Sequence, residues 1–125
     1  MLGYDFNMLP KQYRLKKRTA FNATYKTGRS LHYKGITLFC GKEKKIQTPT
    51  KIGFVVSKKI HKRAVRRNRV KRLMREAVRI YIKNLENNFE SKYISLIFVA
   101  TTSILDKNFE EVDYRIKKLV SMIND

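Results

Sequence analysis

The chain has 125 residues, with 29 Lys or Arg against 10 Asp or Glu, and so carries a net charge of +19 at neutral pH. That length holds one domain with a modest core, and a hydrophobic share of 42% belongs to a folded domain rather than a disordered one. No apolar run approaches the roughly 18–20 residues of a membrane span, no basic leader and apolar stretch open the chain, and a single cysteine excludes an internal disulfide and suits a reducing cytoplasm.

Residues 1 to about 17 read as an irregular basic lead-in, because Pro10 interrupts any helix there; the domain is drawn at 13–125, with 1–12 ahead of it. Thr19 is placed to cap a short helix in which Ala20, Phe21, Thr24 and Tyr25 share a side, and Gly28 to end it. Residues 30–40 are strand-like, with Ile36, Leu38 and Cys40 pointing one way and Thr37 and Phe39 the other. A separate short strand fits near 30–34. The lysine-rich stretch 41–50 reads as a solvated hairpin loop leading to a strand at 51–57, where Ile52, Phe54 and Val56 alternate with Gly53, Val55 and Ser57.

A long helix begins near Arg63 and fades around 85–88. The apolar segment 93–100 is strand by its length and β-branched content. Asn108, with Glu111 three residues on, forms a capping box for a last helix whose stripe is Phe109, Val112, Ile116, Leu119, Val120 and Ile123. The order helix, strand, strand, helix, strand, helix is that of a small α+β domain, a mixed sheet packed by helices.

Between Lys58 and Arg75 stand ten Lys or Arg residues and no acid. At about 100° per residue, Val70, Leu73, Met74, Ala77 and Tyr81 make one buried stripe, so the segment is a packed helix and not a floppy tail. Asn68, Arg72, Arg75 and Arg79 fall on the opposite side, and Arg69 and Lys71 flank them. Arg66 and Arg67 lie nearer the buried side by angle and belong to the first turn or the loop before it. An ordinary surface helix mixes Lys with Glu, but here only Glu76 offers a neighbour of opposite sign, to Arg72 and Arg79. Unneutralised, such a face repels itself, and arginine's planar fork suits phosphates. A polyanion is the expected partner.

The run Arg67-Asn68-Arg69-Val70-Lys71-Arg72-Leu73-Met74-Arg75-Glu76 resembles the Arg-Asn-Arg motif of the protein subunit of bacterial ribonuclease P. Gly53-Phe54-Val55-Val56-Ser57-Lys58-Lys59 is similar to that family's strand leading into the basic helix, and Arg14-Leu15-Lys16-Lys17 with Phe21, Tyr25, Lys26 and Gly28 to its opening segment. The three blocks keep the family's order and spacing over residues 13–120. The resemblance implies a ribosomal-protein-like fold with a left-handed crossover around the basic helix. It implies half of a ribonucleoprotein endonuclease, in which an RNA subunit with Mg²⁺ removes the 5′ leader of precursor tRNA. The basic helix (Arg66, Arg67, Asn68, Arg69, Lys71, Arg72, Arg75, Arg79) would meet the ribonuclease P RNA, with Arg14, Lys16, Lys17, Lys58 and Lys59 in support. A cleft at Phe21, Tyr25, Thr37, Phe39, Val55 and Ser57 would hold the leader as an extended strand.

The residues themselves offer the protein no catalytic group, no metal site and no bound cofactor. His32 and His61 have no Cys, Asp or Glu at ligand spacing, and the acids gather in the C-terminal third, at Glu86, Glu90, Glu110, Glu111 and Asp113. Ser57 beside Lys58 reads as a strand-end hydroxyl, and Cys40 as a small buried apolar group. A ribosomal or other structural RNA-binding protein is the rival reading; the aromatic face beside the basic helix favours a protein that grips single strands. A DNA-binding helix-turn-helix lacks its short preceding helix. A membrane-surface helix would need the apolar stripe that the core uses. No obligate protein partner is evident.

Overall fold

The computed structural model describes residues 9–57, 59, 62–83 and 91–123. Three helices, α1 (Arg18–Lys26), α2 (Ala64–Lys83) and α3 (Phe109–Ile123), combine with four strands, β1 (Arg29–Tyr33), β2 (Ile36–Cys40), β3 (Lys51–Val55) and β4 (Ser95–Ala100). The strands form one mixed sheet in the order β1-β2-β4-β3, in which β1–β2 and β2–β4 are antiparallel and β3–β4 is parallel. This is the expected α+β domain.

Alternation decides the two faces. Leu31, Ile36, Leu38, Ile52, Phe54, Leu96 and Phe98 share the face that meets α2 and α3 and carry the core with Val70, Met74, Val112, Ile116 and Leu119. α1 lies on the opposite face. The stripe expected on α2 is present: Val70, Met74, Ala77 and Val78 are buried, and Leu73 and Tyr81 pack against them. The start of α3 is also as expected, with the Glu111 N–H donating to Asn108 Oδ1 at 2.9 Å and the Asn108 N–H to Glu111 Oε1 at 3.5 Å. Residues 84–90, where α2 was expected to fade, lie outside the described residues.

The separate short strand expected near 30–34 is present as β1, folded back onto β2 through Lys34 (φ 41°) and Gly35 (φ 92°), two consecutive left-handed residues that make a tight hairpin. Other expectations are corrected. Residues 41–50 do not form a hairpin loop, because β4 lies between β2 and β3. The segment instead prolongs the β2–β4 pairing, with the Lys44 N–H donating to Lys92 O at 2.7 Å and the Ile94 N–H to Lys42 O at 2.9 Å, before crossing to β3. Thr19 does not cap α1: Lys17 occupies the cap position, its carbonyl accepting from the N–H groups of Ala20 and Phe21 at 3.0 and 3.1 Å. Gly28, at φ 71°, ends α1 as expected. In the lead-in, Leu9 joins the core, a 3-10 turn spans Lys11–Tyr13, and the Leu15 N–H donates to Ile52 O at 3.0 Å on the open edge of β3.

Candidate nucleic-acid interface

The face opposite the core begins as two rows of side chains across the sheet. Register places Phe39 beside Ile97 and Ile97 beside Gly53; one step along the strands, it places His32, Thr37, Val99 and Val55 side by side. α1 crosses the first row. Phe21 rests on Gly53, where an added Cβ would lie 2.6 Å from Phe21 Cζ. Thr24 Oγ1 meets Ser95 Oγ at 2.6 Å in a fully buried hydroxyl pair. The Tyr25 ring stands edge-on to Phe39 with centroids 5.0 Å apart. Tyr25 is still exposed, while partial burial raises its phenol above the ordinary pKa.

The second row has no such lid: Thr37, Val55 and Val99 stay half-buried. The result is a groove with an aromatic wall (Phe21, Tyr25, Phe39) and a floor of Thr37, Val99 and Val55. Of the six residues expected there, five come together. Ser57 lies past the end of β3 and is exposed. Sequence reasoning missed Val99 and Gly53. A glycine inside a strand is itself a sign of close approach, and here the approaching group is the Phe21 ring.

The cations of α2 divide three ways. Arg66, Asn68 and Arg72 are exposed, and among the described residues Arg66 and Arg72 have no partner. Arg67 reaches back to Lys62 O at 3.0 Å. Arg69, expected as an RNA contact, is turned to the chain ahead of α3: its Nη1 and Nη2 donate to Leu105 O at 3.2 Å and Lys107 O at 3.1 Å, fastening the turn there. Arg79 pairs with Glu76 at 2.6 Å rather than facing solvent, and the hydrogen bonds it donates to the Glu76 carboxylate raise its pKa. Arg75, expected outward, is half-buried because that flank of α2 faces β3 and the lead-in.

There, Arg75 and Lys71 line a cavity of about 240 Å³ together with Arg14, Lys16, Phe21 and Phe54. The Arg75 Nε is enclosed and has no hydrogen-bond acceptor among the described residues, while the Arg14 Nε donates to Leu9 O at 2.6 Å. Four cationic side chains on one small concavity favour an anion there. Lys17 and Lys59 are exposed; Lys58 and His61 lie outside the described residues, as do Glu86 and Glu90. Cys40 is buried, and burial pushes its thiol pKa up despite the opposing charges of Arg29 and Lys92.

Comparison with known proteins decides the family. The model of the family described as Ribonuclease P matches residues 9–124. The chain belongs to the ribonuclease P protein family. The ribonuclease P protein component of Clostridioides difficile is 37% identical over 106 residues, covering 85% of this chain and 87% of that protein. That of Symbiobacterium thermophilum is 36% identical over 111 residues, covering 89% and 90%. The fold is shared with the Staphylococcus aureus RNase P protein (TM-score 0.72, 24% identity, 92% of this chain and 100% of that one) and the Thermotoga maritima RNase P protein (TM-score 0.71, 22% identity, 90% and 98%). A ribonuclease P protein works with an RNA partner as a subunit of a ribonucleoprotein endoribonuclease that processes the 5′ leader of tRNA. Among the described residues, no helix is long and apolar enough to cross a membrane, and no three His, Cys, Asp or Glu side chains gather as a metal site.

Proposed function

We propose that the groove between α1 and the β2–β4–β3 face takes the 5′ leader of precursor tRNA as an extended single strand. The meeting of Phe21, Tyr25 and Phe39 across α1 and the sheet carries this reading. Aromatic faces accept any base, at roughly 1–3 kcal/mol per stacked base, and the floor beside them is only half covered. A leader of variable sequence asks for that kind of surface.

In the same reading α2 docks on the ribonuclease P RNA. Arg66, Arg67, Asn68 and Arg72 meet phosphates at its start and outer side, while Arg69 and Arg79, bonded to Leu105, Lys107 and Glu76, flank that surface without a phosphate of their own. Lys71, Arg75, Arg14 and Lys16 hold one further phosphate in the cavity beside β3, with Lys17, Lys58 and Lys59 extending the basic surface. Ser57, exposed just past the end of β3, would meet the RNA beyond the groove. The described acids include Glu43, Glu76, Glu110 and Asp113, each already paired with Arg29, Arg79 or a lysine or set apart on α3. In this reading hydrolysis and its Mg²⁺ belong to the RNA subunit, and the protein binds and orients. Residues 13–125 act as one RNA-binding domain, and the cytoplasm is its place of work.

The test is the affinity of the reconstituted holoenzyme for precursor and mature tRNA. Replacing Phe21 and Phe39 with Ala is expected to weaken the precursor alone, by about tenfold or more if one stacked base is lost. Equal losses for both tRNAs refute the leader groove.

A further inference from the structure

We propose that His32 is a positioning residue of the groove, fixing the Thr37 hydroxyl as a hydrogen-bond donor to an oxygen of the RNA bound there. The inference rests on the groove reading and extends it to β1, a strand that reading leaves out.

His32 and Thr37 are directly opposed across β1 and β2, on the same face as Phe39, Val99 and Val55. The imidazole has two contacts: Nδ1 lies 2.9 Å from Thr37 Oγ1, and the Gly35 N–H points at Nε2 at 3.4 Å. A backbone N–H only donates, so Nε2 must present its lone pair. The single proton of the neutral ring then sits on Nδ1 and is donated to Thr37 Oγ1. The tautomer follows from the network.

The consequence falls on Thr37. A hydroxyl that accepts one bond keeps a proton and a second lone pair to offer. Among the described residues nothing accepts that proton, and the side chain is only half-buried. Its neighbours along the floor, Val99 and Val55, are apolar. Thr37 is therefore the one hydroxyl in that row, and the imidazole behind it takes up its acceptor side. What remains is a donor aimed into the groove. Phosphate oxygens and base carbonyls, both present in any leader, are the acceptors it fits. Without His32 the hydroxyl turns freely and spends its proton on water.

A merely structural histidine would latch the hairpin, and its loss would lower stability with no preference between tRNAs. The experiment is a double-mutant cycle in the holoenzyme, assembled with ribonuclease P RNA, reading the ratio of affinities for precursor and mature tRNA. Thr37→Val is expected to cut that ratio about three- to tenfold, the net worth of one hydrogen bond. His32→Ala is expected to cut it by a smaller factor in the native background and by none in the Thr37→Val background. His32→Asn, whose amide N–H can replace Nδ1–H, is expected to recover most of the loss. An equal effect of His32→Ala in both backgrounds, or none in either, overturns the proposal. Phe39→Ala separates the two levels. If it lowers the ratio while Thr37→Val and His32→Ala do not, the relay alone is wrong; if it too is silent, the groove reading falls and the relay with it.

Discussion

Replacing Gly53 with Ala puts a methyl group where the Phe21 ring now rests. The new Cβ would lie 2.6 Å from Cζ and 2.7 Å from Cε1 of that ring, with Leu15 Cδ2 at 3.3 Å beyond. Carbon atoms in contact sit roughly 3.5–4.0 Å apart, so the ring must retreat by about 1 Å, and Leu15 limits where it can go. Overpacking of this kind costs about 1–3 kcal/mol. Alanine regains roughly 0.5–1 kcal/mol of the conformational entropy that glycine loses in a strand. The expected net loss is about 1–2 kcal/mol, or about 4–8 °C in melting temperature for a domain of this size. Thermal unfolding of Gly53→Ala measures it, and the Phe21→Ala background tests its cause, since without the ring the two shortest contacts vanish and only Leu15 Cδ2, at 3.3 Å, remains near the methyl. Affinity for precursor tRNA is expected to fall as well, because α1 and the aromatic wall move together. An unchanged melting temperature, or an equal loss with and without the Phe21 ring, refutes the contact on which the groove is built.

Four further outcomes are expected. Replacing Arg66 and Arg72 with Ala is expected to flatten the dependence of holoenzyme assembly on log salt by about 0.7–0.9 for each phosphate left unneutralised, with little change in melting temperature. Arg69→Ala is expected to do the reverse: it removes two bonds to exposed carbonyls, worth about 1 kcal/mol together once solvent screening is counted, and lowers the melting temperature while largely preserving the salt slope. Asn108→Ala is expected to cost about 1 kcal/mol in chemical denaturation, the ordinary worth of a helix N-cap. Burial holds the Cys40 thiol pKa above that of the unfolded chain, so above about pH 8.5 the unfolded state binds fewer protons and stability declines as pH rises. Denaturation midpoints measured across that range check the sign, and Cys40→Ala is expected to reduce the slope.

The elements legible in the sequence are those whose signal is local. The stripe on α2, the capping box at Asn108 and the alternation of β2 and β3 each depend on neighbours a few residues apart, and the structure reproduces them. The order of strands is not local. Nothing in residues 36–55 announces that β4 will enter between β2 and β3, so a plain hairpin was the natural expectation. β1 was faint because it lies at an edge, with three of its five residues exposed, and lacks the apolar alternation of a covered strand. The groove was largely legible, since a single alternating face carries Thr37, Phe39 and Val55. The division of labour among the arginines was not. Arg69, Arg72 and Arg75 look alike in a basic run, yet one fastens a turn, one faces solvent and one lines a cavity. That difference arises only from which elements pack beside each flank of α2.

Cleavage of a precursor tRNA at low Mg²⁺ by three samples, this protein, a bacterial ribonuclease P RNA, and the two together, tests the account most directly. Cleavage is expected in the mixture alone, with release of an intact 5′ leader. Cleavage by the protein without RNA, or tight RNA binding with no gain in cleavage by the mixture, contradicts it.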